Sequence, residues 1–122
     1  VEELKKKSLA ILLCRGPYAS EYADIGVGIA KKAMEKGYDV KMFLYMDGVW
    51  VQHARQSPKV FPNVGKELEG AISLGADVRA CERCSSARGI NEEDIVNGGK
   101  ITSLYDFVQM LKECDKVLPI LG

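Results

Sequence analysis

Two cysteines separated by two residues, Cys81 and Cys84, stand among arginines in the run Asp77-Val78-Arg79-Ala80-Cys81-Glu82-Arg83-Cys84-Ser85-Ser86-Ala87-Arg88-Gly89-Ile90. A thiol attacks only when ionised: at its ordinary pKa near ~8.5 it is about 3% thiolate at neutral pH, and at a pKa of ~6.5 about three-quarters. Arg79, Arg83 and Arg88, together with a helix N-terminus expected near Cys84, could supply such a shift, whereas Glu82 opposes it. The pair therefore reads as a thiol centre at a strand-to-helix junction, with the sign of its net pKa shift left open.

Other chemistries fit less well. Zinc needs four ligands, and one Cys-x-x-Cys supplies two. Cys14, Cys114 and the single histidine, His53, form no second pair at ligand spacing, so no metal is expected. Gly26-Val27-Gly28 falls inside a predicted helix, with Lys31 where a dinucleotide fingerprint needs its third glycine, and reads as helix packing. A Gly-Lys-Ser/Thr phosphate loop is absent. Cys114, late in the last predicted helix, reads as packing, and His53 as a satisfied boundary residue. Cys14 closes the first predicted strand; it reads as a small apolar filler, although it could face the same crevice as Cys81.

The elements that position these residues follow from periodicity. Ser8 to Cys14 is a continuous apolar run, the pattern of a strand buried on both faces. A helix over Ser20 to Lys36 follows, with Tyr22, Ile25, Ile29 and Ala33 on one face and Gly37 after its end. Asp39 to Tyr45 reads as a second strand, Asp47 to Pro62 as a short helix and an excursion, and Asn63 to Leu74 as a helix carrying Val64, Leu68, Ala71 and Ile72. Asp77 to Cys81, Gly99 to Thr102 and Lys116 to Leu121 complete five strands. Before the last of them Ser103 caps a helix with Leu104, Phe107, Val108 and Leu111 in register. The alternation predicts a three-layer α/β/α domain around a mainly parallel, Rossmann-like sheet. In such sheets ligands collect beyond the carboxyl ends of the strands, here Cys14 to Ala19, Tyr45 to Val49 and Cys81 to Arg88.

The 122 residues suit one domain over positions 1–122, with 1–7 as a flexible or peripheral N-terminal segment. Seventeen basic residues balance seventeen acidic ones, which argues against nucleic acid or an anionic membrane as partner. The longest apolar run, Leu9 to Leu13, is too short to span a bilayer, and Lys5-Lys6-Lys7 before it makes no secretory signal. A cytoplasmic location is expected, where four cysteines serve as reactive or core residues rather than as a disulfide framework.

Three pieces together resemble the DsrE/DsrF/TusD-like family of sulfur-relay proteins. They are Gly16-Pro17-Tyr18 after the first strand, Phe43-Leu44-Tyr45-Met46-Asp47-Gly48-Val49 after the second, and Cys81 followed by Ala87-Arg88-Gly89-Ile90. The resemblance implies a five-stranded, mostly parallel sheet and assembly into a homotrimer or homohexamer, or a hetero-oligomer with paralogous chains. It further implies a sulfurtransferase role without cofactor, in which Cys81 carries sulfane sulfur as a persulfide between donor and acceptor proteins. Arg88 would stabilise the anion, and Gly16, Pro17, Tyr18, Asp47 and Gly48 would shape the substrate pocket. Cys84 departs from members with only the first cysteine. It leaves open a thiol redox module using both cysteines, and a non-catalytic assembly or ligand-binding subunit using neither. Trp50, within Val49-Trp50-Val51, is expected to anchor an oligomer interface.

Overall fold

The computed structural model describes residues 6–122; most of the expected N-terminal segment thus lies outside the described residues, and Lys6 and Lys7 are exposed. The strands are β1 (Ser8–Leu13), β2 (Asp39–Leu44), β3 (Asp77–Cys81), β4 (Lys100–Thr102) and β5 (Lys116–Ile120). The α-helices are α1 (Tyr22–Glu35), α2 (Val64–Ser73), α3 (Glu82–Ala87) and α4 (Leu104–Glu113). Short 3₁₀ helices cover Met46–Gln52 and Glu92–Asp94. The sheet has the order β4-β3-β2-β1-β5 and every pairing is parallel, so the carboxyl ends of all five strands share one rim.

Side chains alternate between the two faces of each strand. Leu13 and Ile120, paired across β1 and β5, lie against Gly26 of α1. Helix α2 packs beside α1 on that face, with the Lys31–Glu67 ion pair joining the two helices. On the opposite face Phe43 meets Phe107 of α4, ring centroids 5.5 Å apart, and Arg79 reaches Asp106 at 2.7 Å. The central strands β1 and β2 supply much of the buried core, including Ile11, Leu13, Met42, Phe43 and Leu44. Residues 9–13 read as a doubly buried strand because both faces are in fact covered.

The helix ends follow local chemistry. Asn63 caps α2 by accepting the Lys66 N–H at 3.1 Å, and Ser103 caps α4 by accepting the Tyr105 N–H at 3.1 Å. Beyond α1 and α2 the chain turns at Gly37 and Gly75, whose φ values of 92° and 112° favour glycine.

Which helix face is buried departs from the sequence reading in two places. In α1 the core side is Ala23, Gly26, Val27 and Ala30, whereas Tyr22 and Ile25 are exposed. Small residues let the helix settle closely on Leu13 and Ile120, and this contact outweighs the larger side chains' preference for burial. In α4 only Met110 is fully buried and Phe107 is half-buried; Leu104, Val108 and Leu111 form an apolar stripe that is 43–46% exposed. Near Trp50 the expectation of an uncovered apolar run also changes, because Val49 and Val51 are completely buried and Trp50 alone reaches the surface.

Candidate thiol site

Strand β3 ends at Cys81, and the chain turns directly into α3 at Glu82, so Cys81 is the N-cap residue and Cys84 lies within the first turn. The helix therefore begins two residues earlier than its expected start near Cys84. Both cysteines are free and buried, Cys81 at 3% exposure and Cys84 at 8%. They line a cavity of about 420 Å³ whose walls include Tyr45 from the end of β2 and Leu104, Tyr105 and Val108 from α4. Helix α3 closes through Arg88 into Gly89 at φ 71°, a left-handed turn that explains a glycine after the arginine.

The Cys84 sulfur is held by a residue the sequence reading overlooked. Met46 has a left-handed backbone, φ 52°, uncommon for a side-chain-bearing residue, and its N–H donates to Cys84 Sγ at 3.3 Å. The Met46 thioether lies 4.0 Å from the same sulfur. Two residues on, Gly48 presses against the end of β1: a Cβ there would fall 2.0 Å from the Leu13 carbonyl oxygen. Only glycine allows this approach, which fixes the turn that aims the Met46 N–H. The glycine of the Met46-Asp47-Gly48 run was thus a legible signal for a tight turn, but its target required the fold.

Arg88 ties the same parts together. Its Nη1 donates to the Cys84 carbonyl at 3.0 Å, and its Nε and Nη2 each lie 3.0 Å from Asp47 Oδ1. The guanidinium thus bridges the α3 turn and the turn after β2. Arg79 is engaged elsewhere, by Asp77 and Asp106, while Glu82 and Arg83 reach the cavity wall.

Burial pushes the Cys84 thiol above its ordinary range, against the pull of the Met46 N–H. The neighbouring Cys81 pushes it further up, and the Arg88 charge lowers it by the smallest contribution. Cys14 is half-buried; burial raises its thiol first and proximity to Cys84 second.

The expected pocket residues gather in a different place from the thiol pair. Gly16, Pro17, Tyr18 and Asp47 line a second, larger cavity of about 830 Å³, together with Cys14 and His53. Gly48 is buried in the 3₁₀ helix after β2 and lines neither cavity. Met46 and Asp47 connect the two sites: both line the larger cavity, while one contacts the Cys84 sulfur and the other binds Arg88. Tyr18 is fixed by donating its hydroxyl to Gln56 Oε1 at 2.7 Å, and His53 accepts the Arg55 N–H at Nδ1. Among the described residues no three His, Cys, Asp or Glu side chains converge as a metal site. No described helix is long and apolar enough to cross a membrane.

A parallel five-stranded α/β domain with a buried thiol pair at the strand-end rim defines the class. Comparison with known proteins gives the family: the chain belongs to the DsrE/DsrF-like family, whose sequence profile matches residues 7–120. An uncharacterised protein of Methanopyrus kandleri is 37% identical over 110 residues, covering 90% of this chain and 91% of its own. Protein YchN of Escherichia coli is 28% identical over 114 residues, covering 92% and 97%. The crystal structure of YchN superposes with a TM-score of 0.88, covering 93% of this chain and 98% of that one. A Methanobacterium thermoautotrophicum protein of unknown function shares the fold at 13% identity, with a TM-score of 0.75 and coverage of 94% and 100%.

Proposed function

We propose that the protein is a sulfur carrier that holds sulfane sulfur as a persulfide on Cys81 and passes it from a donor protein to an acceptor protein. The observation that carries this reading is the position of Cys81: it closes β3, caps α3 and borders a cavity at the rim where α/β sheets gather their ligands. Membership of the DsrE/DsrF-like family supports it.

In the loading step the Cys81 thiolate attacks the outer sulfur of the donor persulfide; a new S–S bond forms and the donor thiolate leaves. In the unloading step an acceptor thiolate attacks the outer sulfur of Cys81-S-SH, and the Cys81 thiolate leaves. Neither step needs a metal or an organic cofactor, because sulfur moves without net oxidation. At 3% exposure Cys81 is reached only by a partner group that enters the cavity. Arg88 serves as a positioning residue through Asp47 and the Cys84 carbonyl. Gly16, Pro17 and Tyr18 shape the adjoining cavity, and Gly48 permits the tight turn between the two.

The reading also includes a cytoplasmic setting and a homotrimer or homohexamer, or a hetero-oligomer with paralogous chains. The exposed stripe of Leu104, Val108 and Leu111 is the kind of contiguous apolar surface that subunits cover. Intact-mass spectrometry after exposure to a persulfide donor tests the assignment. Wild type should gain about 32 Da per sulfur, removable with dithiothreitol, and Cys81→Ser should gain none. Equal loading of Cys81→Ser would remove Cys81 from the role.

A second reading, a dithiol redox module, is favoured by the burial of Cys84 in the same cavity. A stable Cys81–Cys84 disulfide with a potential of roughly −270 to −200 mV, and no persulfide loading, would select it.

A further inference from the structure

We infer that Cys84 is a resolving thiol which discharges a Cys81 persulfide as hydrosulfide, giving the protein a persulfide-reducing activity beside its carrier role. This rests on the persulfide reading above and adds to it a fate for the sulfur when no acceptor engages it. The geometry has three parts. Cys81 is the N-cap residue, its side chain making no cap bond, and Cys84 stands three positions later, about one helical turn along. Both thiols are buried along one cavity, so a persulfide on the first lies beside the second and away from bulk water. The Cys84 sulfur is also fixed from outside the helix: it receives the Met46 N–H at 3.3 Å, and Arg88 locks that turn to the Cys84 carbonyl.

A donor N–H aimed at sulfur stabilises the anion that must form as Cys84 attacks. Buried cysteines that only pack need no such donor, and the left-handed Met46 backbone that supplies it is a local strain that burial of an apolar filler would not require.

The step balances without any further reagent. The Cys84 thiolate attacks the inner, Cys81-bound sulfur; the Cys81–Cys84 bond forms, the bond to the outer sulfur breaks, and that sulfur leaves as HS⁻. Overall, Cys81-S-SH plus Cys84-SH gives the disulfide plus H₂S. The sulfane sulfur is reduced by two electrons, and the cysteine sulfurs are oxidised to a disulfide. Attack on the outer sulfur would instead expel the Cys81 thiolate, and hydrosulfide is the more acidic and faster leaving group. Burial raises the Cys84 thiol above its ordinary range, which slows its attack. Each discharge ends in a disulfide, so one sulfide is released per reduction of the protein.

The experiment uses the full reduced chain, loaded with inorganic polysulfide, desalted, and followed by intact mass and a sulfide electrode. Wild type should first gain about 32 Da and then fall to about 2 Da below the reduced mass, with one equivalent of sulfide released. In Cys84→Ser, and in Cys84→Ala as a second variant should serine disturb the core, the loaded form should persist at least about tenfold longer, with no matching sulfide. A wild-type persulfide as long-lived as in both variants, or equal sulfide release from all three, would overturn the inference while leaving the carrier reading intact. Failure of every protein to load would overturn both.

Discussion

Replacing Arg88 with alanine should loosen the thiol site before it loosens the domain. Arg88 makes three contacts: two of its nitrogens lie 3.0 Å from Asp47 Oδ1, and a third donates to the Cys84 carbonyl at 3.0 Å. The Asp47 side chain is 67% exposed, so solvent screens the ion pair and its loss costs only about 0.5 kcal/mol. The bond to the Cys84 carbonyl is charge-assisted and partly buried, and its loss costs about 1 kcal/mol. The sum of ~1.5 kcal/mol corresponds to a fall in Tm of about 5 °C for a domain of this size. The chemical effect has a definite direction: without the positive charge the Cys84 thiol moves further above its ordinary range, so its alkylation profile shifts to higher pH. Arg88→Lys should restore part of the charge effect but not the two-armed bridge, because lysine lacks the planar fork. The assay is thermal unfolding by circular dichroism, combined with iodoacetamide labelling across pH and mapping of each cysteine. An unchanged Tm together with a Cys84 profile that overlays the wild type would refute the bridging role.

Three further outcomes follow from the geometry. Gly48→Ala should destabilise the domain by about 3 kcal/mol or more, since its Cβ would lie 2.0 Å from the Leu13 carbonyl oxygen and neither backbone can yield cheaply; denaturant unfolding measures this, and a loss under about 1 kcal/mol would show that the turn is not fixed. Val108→Glu in the exposed α4 stripe should shift an oligomer toward monomer in light scattering without lowering helix content, whereas a wild type that is monomeric at micromolar concentration would remove the premise. Asp106 is held below its ordinary range by the Arg79 hydrogen bond; Asp77 is also lowered, because its bonds to Arg79 and Lys100 outweigh its burial. Their folded pKa values lie below the unfolded ones, so the stabilisation is present above about pH 4 and is lost as pH falls through the folded values. Arg79→Met should flatten that acid limb of Tm against pH, and an unaltered limb would assign acid sensitivity to other groups.

Much of the architecture was legible because it is encoded locally. A continuous apolar run marked β1, Ser103 capped the helix that follows it, and Gly37 marked where the first helix stops. The strand leading into Cys81 was equally plain, since the chain alternates strand and helix in the order a parallel sheet requires. What failed in part were the predicted faces: Tyr22 and Ile25 of α1 and Leu104, Val108 and Leu111 of α4 are exposed, while Ile29, Ala33 and Phe107 pack against the core. A 3.6-residue period marks an apolar stripe but does not say whether the sheet or another surface covers it. In α1 the close seat of Gly26 under Leu13 and Ile120 turned Ile25 outward, and in α4 the apolar stripe remained largely at the surface.

By itself, then, the sequence determined the strands, the Ser103 helix cap and the placing of Cys81 and Cys84 at a strand-to-helix junction, because each depends on residues close together in the chain. Tertiary structure alone decided that Gly16, Pro17, Tyr18 and Asp47 line a cavity separate from that of the thiols, and that Met46 and Arg88 link the two. The Met46 N–H and the Cys84 sulfur are 38 positions apart, and Arg88 and Asp47 are 41. Contacts at such separations are set by the parallel register of β2 and β3 and by the approach of Gly48 to β1, and no local pattern of residues records them.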